Sequence, residues 1–123
     1  MALAQLDWIG GGGGIDMLNP DAKYEGISEA ASGTADIAVT QMPRLIMFMY
    51  QSSKNSNYFS AIGIIDVKNS KAKRAGHFSN GIGNWQDWSQ TSLSNYFTIT
   101  SSSVSFNKTT IGATMDLFIY VYY

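Results

Sequence analysis

Alternation is the dominant pattern along the chain. Residues 116–123 read DLFIYVYY. A strand sends alternate side chains to opposite faces, so Met115, Leu117, Ile119 and Val121 share one face and Phe118, Tyr120 and Tyr122 the other. The same period runs through ADIAVTQ, with Ile37 and Val39 together. It recurs in NYFSAIGIIDVK, where Phe59, Ala61, Gly63, Ile65 and Val67 oppose Tyr58, Ile62 and Ile64. NYFTITSS pairs Phe97 with Ile99, and VSF continues the alternation after a serine break. RLIMFMYQ, just after Pro43, is a nearly continuous apolar run. It fits a strand buried on both faces or a short buried helix, and the flanking proline and polar SSKNSN favour the strand. KNSK reads as a turn into AKRAGHF, and NKTTIGA as another turn. NPDAKYEGISEAASG predicts a loop or a short helix, and SNGIGNWQDWSQTSLS a long loop. About six to eight short strands between Gly, Asn and Ser clusters predict an all-β fold, an antiparallel β-sandwich of jelly-roll-like form.

Glycines occupy positions 10–14 without interruption. Such a run has no reason to hold one backbone conformation. It divides the chain into an N-terminal segment with its linker, residues 1–14, and a sandwich domain, residues 15–123. The first nine residues carry Leu3, Leu6, Trp8 and Ile9. That composition fits a frayed terminus before a linker, or an anchoring peptide hinged to a projecting domain. MALAQLDWI has no basic stretch and contains Asp7, so it does not read as a signal peptide. The longest apolar run, LIMFMY, falls far short of the ~18–20 residues of a membrane helix. No membrane insertion is expected.

Composition narrows the setting. Among 123 residues, 45% are hydrophobic but only 14% are charged, against an ordinary quarter. Ser, Thr, Asn and Gln replace the missing charge, which suits an extracellular or virion surface. The net charge of −1 gives no bulk attraction to nucleic acid. With no cysteine there are no disulfides and no thiolate sites. Oligomerisation is the usual substitute for a small domain's missing staples.

Catalytic chemistry is sparse. The single histidine, His77, has no cysteine beside it and makes no metal cluster. No nucleophile-elbow motif accompanies it, and it reads as a strand-end residue. The nine acidic residues form no D-x-D, E-x-x-E or H-E-x-x-H pattern. GGGGGID lacks the Lys-Ser/Thr of a phosphate loop. Neither enzyme activity, nor a cofactor, nor a bound metal is expected. Lys68, Lys71, Lys73 and Arg74 lie close together at a turn. They fit contact with an anionic polysaccharide, or edge lysines that discourage sheet-to-sheet aggregation. Asn107-Lys108-Thr109 has the form of a glycosylation sequon and reads as turn chemistry. In GIGNWQDWSQ, Trp85 and Trp88 flank Gln86 and Asp87. An indole stacks on the apolar face of a pyranose while amide and carboxylate groups take its hydroxyls. These four residues are the candidate glycan site, and pinning of the loop to the core is the alternative.

The last strand poses a question of cover. One core can bury the aliphatic face. The aromatic row Phe118, Tyr120 and Tyr122 then meets water unless a neighbouring subunit or a loop of the same chain covers it. These three residues are the candidate oligomer interface. Taken together, GTADIAVTQMPRLIMFMYQS, YFTITSSSVSF and MDLFIYVYY resemble the C-terminal head domains of bacteriophage tail-fibre, receptor-binding or head-fibre proteins. The resemblance covers residues 34–123, and the extended shaft of long fibres has no counterpart here. It implies a trimeric β-sandwich on the virion that binds a host cell-surface glycan or decorates the particle. Residues 1–14 would then contact other virion proteins. Alternatives are a secreted or surface bacterial carbohydrate-binding module, and a capsid or tail decoration protein without a ligand.

Overall fold

The computed structural model describes residues 15–54, 57–78, 81–82 and 86–123. Two antiparallel sheets form an all-β, sandwich-like fold. The larger contains β1 (Ala22–Glu29), β10 (Met115–Tyr122), β3 (Leu45–Lys54), β4 (Asn57–Asp66), β5 (Lys71–Phe78) and β6 (Gly81–Ile82) in that spatial order. β7 (Gln86–Trp88) pairs with β5 beside β6. The smaller sheet runs β2 (Thr34–Ala38), β9 (Ser103–Asn107), β8 (Phe97–Ile99). β3, β4 and β5 form a hairpin meander, whereas the first and last strands of the large sheet lie side by side and close the domain. The chain changes sheet between β1 and β2, between β2 and β3, between β7 and β8, and between β9 and β10.

The core lies between the sheets. β10 contributes Met115, Leu117, Ile119 and Val121, all within 2% of full burial. The register sets Leu117 opposite Tyr50, Ile119 opposite Phe48 and Val121 opposite Ile46. The smaller sheet answers with Ala35, Ile37, Val104, Phe106 and Phe97. Phe97 bridges the layers, with its ring centroid 5.0 Å from Phe48 and 5.1 Å from Phe106. Tyr50 and Phe106 sit at 6.1 Å. Close packing also explains Gly63. A Cβ there would lie 2.2 Å from Phe48 Cζ, so β4 needs a glycine where the Phe48 ring crosses it.

Two segments differ from the sequence expectation. Residues 22–29, expected as loop or short helix, form β1. Ala22, Tyr24 and Gly26 alternate with exposed Lys23 and Glu25 as the strand pairs with β10. The alternation then breaks at a bulge between Gly26 and Glu29. Ser28 there adopts φ 54°, and its N–H donates to Asp116 Oδ1 at 2.9 Å. Within the expected long loop, β7 and the helix α1 (Gln90–Tyr96) appear, and α1 sends Leu93 into the core. The turns fall as expected. In the β4–β5 turn, Asp66 accepts from the Asn69 N–H and side-chain amide at 3.3 and 2.7 Å. Asn107, from the sequon-like triplet, caps the 3-10 helix Lys108–Thr110 by accepting from the Thr109 N–H at 3.2 Å.

Candidate functional site

The outer face of the large sheet is the side turned away from the core. Strand pairing arranges it in rows across the sheet. One row reads Lys23, Tyr120, Met47, Ile64, Lys73, Asp87. The next reads Glu25, Phe118, Met49, Ile62, Ala75. Each row is apolar in the middle strands. Lys23 and Glu25 edge one side, joined at 3.0 Å, and Lys73 and Asp87 the other, at 3.6 Å. Met49 is 43% exposed and Ile62 39%. Beyond these rows Asp116 pairs with Gln51, and the face turns polar. An apolar centre inside a charged rim is the anatomy of an association surface.

A segment of the same chain builds a wall at the other end. Asp16 accepts from the Leu18 N–H at 3.0 Å and from the Asn19 side chain at 2.7 Å, which folds residues 16–19 into a tight turn. The Asp21 N–H donates to Val121 O at 2.8 Å, and Asp21 Oδ2 accepts from the Tyr123 N–H at 2.7 Å. Tyr122 Oη donates to Met17 O at 2.8 Å. Ile15, Leu45 and Tyr122 form a small second core beneath this turn. Burial, foremost, raises the Tyr122 hydroxyl pKa above its ordinary value. Leu18 is displayed on the wall at 78% exposure. Between Met17, Leu18 and Pro20 on one side and Met47, Met49 and Ile62 on the other lies a groove of about 370 Å³.

The structure divides the aromatic row of the last strand. Tyr122 is covered by its own chain, whereas Phe118 and Tyr120 remain half-buried on the open face. Met47 and Met49 were not singled out from the sequence, because LIMFMY reads as buried throughout. The alternating methionines were the available signal, since flexible thioethers are common on adaptable binding surfaces.

Of the four tryptophan-loop residues, Trp85 lies outside the described residues, and only the backbone pairing of Gln86 and Trp88 is described. β7 sets Gln86 opposite Arg74, Asp87 opposite Lys73 and Trp88 opposite Ala72. His77 pairs with Ser60 and Ile82 in β5, and its side chain is not among those described. No cluster of three or more potential metal ligands occurs among the described residues. Among them, no helix is long and apolar enough to cross a membrane.

A second concavity, about 250 Å³, lies on the outer side of the small sheet where α1 meets it. Thr34, Thr98, Ser105, Asn95, Asn107 and Tyr96 line it. Ser105 Oγ donates to Asp36 at 2.6 Å and Thr34 Oγ1 at 3.0 Å. Those hydroxyls, Ser105 first, hold the Asp36 carboxyl below its ordinary pKa. With their protons directed to Asp36, the two hydroxyls turn acceptor lone pairs toward the cleft. No family model, curated protein or solved structure matches the chain.

Proposed function

We propose that this protein is a non-enzymatic assembly and adhesion component of a virion, of the tail-fibre or receptor-binding-tip kind, working as a homo-oligomer with a trimer preferred. The observation that carries the assembly part is the pair of apolar rows, rimmed by charge, on the outer face of the large sheet. The virion setting rests on the resemblance of residues 34–123 and on a surface rich in uncharged polar residues. Light scattering across a dilution series tests the reading. The expected result is a multimer at micromolar concentration, and a single-chain mass throughout would overturn it.

The cleft beside α1 favours a second reading, a carbohydrate-binding module, which is compatible with adhesion to a host glycan. It offers hydroxyls and amides beside one half-buried tyrosine, a set suited to a neutral sugar. Saturation-transfer NMR against neutral monosaccharides checks this. Thr98→Val keeps the shape and removes one hydroxyl, so it should weaken any signal without shifting the melt.

A further inference from the structure

The cleft beside α1 has a carboxylate next to it that fixes where its hydroxyl protons point. We propose that Asp36, which does not line the cleft, is a positioning residue that makes the cleft accept hydrogen bonds from its ligand. The cleft then takes a neutral sugar through the protons of that sugar's hydroxyls and discriminates against carboxylated and sulfated sugars. This rests on the carbohydrate-binding reading above and names the residue that sets its selectivity.

Strand alternation puts the parts in place. β2 buries Ala35 and Ile37 and leaves Thr34, Asp36 and Ala38 on the outer side. β9 turns Val104 and Phe106 inward and Ser103, Ser105 and Asn107 outward. The register sets Thr34 opposite Asn107, Asp36 opposite Ser105, and Ser105 opposite Thr98 of β8. Asp36, Ser105 and Thr98 therefore form one row across the small sheet, and only the last two line the cleft. Every residue that does line it is uncharged. The charge of Asp36 reaches a ligand through the hydroxyls it holds.

An ionised carboxylate only accepts hydrogen bonds. Asp36 Oδ1 takes the proton of Ser105 Oγ at 2.6 Å, and Oδ2 that of Thr34 Oγ1 at 3.0 Å. Each hydroxyl has a single proton, so both are committed to Asp36. The bonds from Ser105 and then Thr34 hold the carboxyl below its ordinary pKa, which keeps it ionised at neutral pH. A donor stands beside these acceptors. Asn107 Oδ1 accepts from the Thr109 backbone N–H at 3.2 Å. That N–H can only donate, so the amide oxygen is fixed on it and the Asn107 NH2 group points elsewhere. A sugar hydroxyl both accepts and donates. It can take a proton from Asn107 and give its own to Thr34, which faces Asn107 across the strands. The bond it gives continues through Thr34 to a negative charge, and bonds in such a chain strengthen one another. A ligand carboxylate or sulfate has no proton to give and is repelled by Asp36 as well.

Fluorinated sugars test the proposal, because fluorine in place of a hydroxyl removes the proton and keeps a compact electronegative atom. The full-length wild type is titrated by NMR with glucose, galactose and mannose, with their monodeoxyfluoro derivatives and with their uronic acids. At least one parent sugar should bind, and its uronic acid should bind more weakly. Fluorine at one or two ring positions should weaken that sugar about fivefold or more, the scale of one hydrogen bond. In Asp36→Asn a single amide oxygen replaces two acceptors, so one of the two hydroxyls turns its proton to the cleft. The parent sugar should then weaken, and the fluorine penalty at one position should disappear. Ser105→Ala removes one acceptor while Asp36 keeps its charge. It should erase one penalty in the same way, and it serves as the test if Asp36→Asn melts abnormally. An Asp36 that only ties β2 to β9 would weaken parent and fluorinated sugars by the same factor. That result overturns the proposal and leaves the carbohydrate-binding reading standing. So does a wild type that binds a fluorinated sugar at every position, or the uronic acid, as tightly as the parent. A wild type that binds none of the sugars overturns both.

Discussion

The two faces of the large sheet are built from the same strands and differ in almost every physical respect. On the inner face Phe48, Tyr50, Leu117 and Ile119 are buried to within 2%. They interlock with the aromatic rings of the smaller sheet. On the outer face Met47, Met49, Ile62 and Phe118 occupy the intervening positions and stay partly open. Rings and branched chains with few rotamers line the side that has a fixed partner, and methionines recur on the side that does not. Rigid side chains specify one packing, whereas thioethers adapt to a surface that arrives later.

Neighbouring residues of β3 give the largest contrast. Phe48→Ala should cost about 3–5 kcal/mol, the range for emptying a buried aromatic site. Met49→Ala, one residue on, should change the stability of the dissociated chain by less than about 0.5 kcal/mol. Urea unfolding at low protein concentration measures both. Comparable losses at the two sites would show that the outer face contributes to the fold as much as the inner one does.

Gly63→Ala sharpens the contrast by addition instead of removal. The new methyl would meet the Phe48 ring at 2.2 Å, and both are held by β-sheet pairing. Overpacking of this kind costs about 1–3 kcal/mol. Ala75→Val, on the outer face of β5, adds volume where there is room and should be neutral within about 0.5 kcal/mol. Melting curves of the two variants would separate a filled layer from an open one.

Much of the inner face was legible in the sequence, and little of the outer one. Period-two alternation in the last strand assigns Met115 to Val121 to one side without reference to any partner, and burial follows. The same alternation could not say that Tyr122 is covered while Phe118 and Tyr120 stay open, because that cover comes from residues 15–20, distant in sequence. β1 escaped because its bulge at residues 26–29 interrupts the alternation and because NP, EG and SG read as turn chemistry. α1 escaped because QTSLSNY has one aliphatic residue, Leu93, beside Tyr96 at its end, and no charged residue to mark either end. Such a helix exists through its packing on the core, not through propensity. The polar cleft beside α1 was invisible for the same reason, since its residues meet only when β2, β8, β9 and that helix are assembled.

Between the faces lies the margin, where effects are smaller. Tyr122 belongs to the outer face and is buried by its own chain through the Met17 turn. Tyr122→Phe removes the hydroxyl and keeps the ring, so it should cost about 0.5–1.5 kcal/mol, the net value of one hydrogen bond. The loss should loosen the wall more than the sandwich. Hydrogen exchange at Leu18 and Asn19 should quicken while exchange in β3 and β10 holds. A uniform acceleration would make the turn part of the core.

Tyr24 tests the margin of the inner face and should give the smallest effect. It lies on β1 opposite Ile119, at the edge of the layer, and its hydroxyl donates to the Glu29 carboxylate just past the bulge. That bond, followed by partial burial, raises its pKa to about 12, from the usual value of about 10. A raised pKa means that the folded state holds the phenolic proton more tightly than the unfolded chain does. The contribution is therefore complete below about pH 10 and is lost as pH climbs from about 10 to about 12. Lys108 Nζ, 3.8 Å from Glu29, ties the same carboxylate to the start of the 3-10 helix. Glu29→Gln should bring the Tyr24 titration back toward the ordinary value and flatten that alkaline slope. NMR of ring-labelled tyrosine, assigned with Tyr24→Phe, follows the one residue among seven. If Tyr24 titrates at about 10 in the wild type, the ordinary value, the bulge does not hold Glu29 against it, and the ordered inner layer ends at β10.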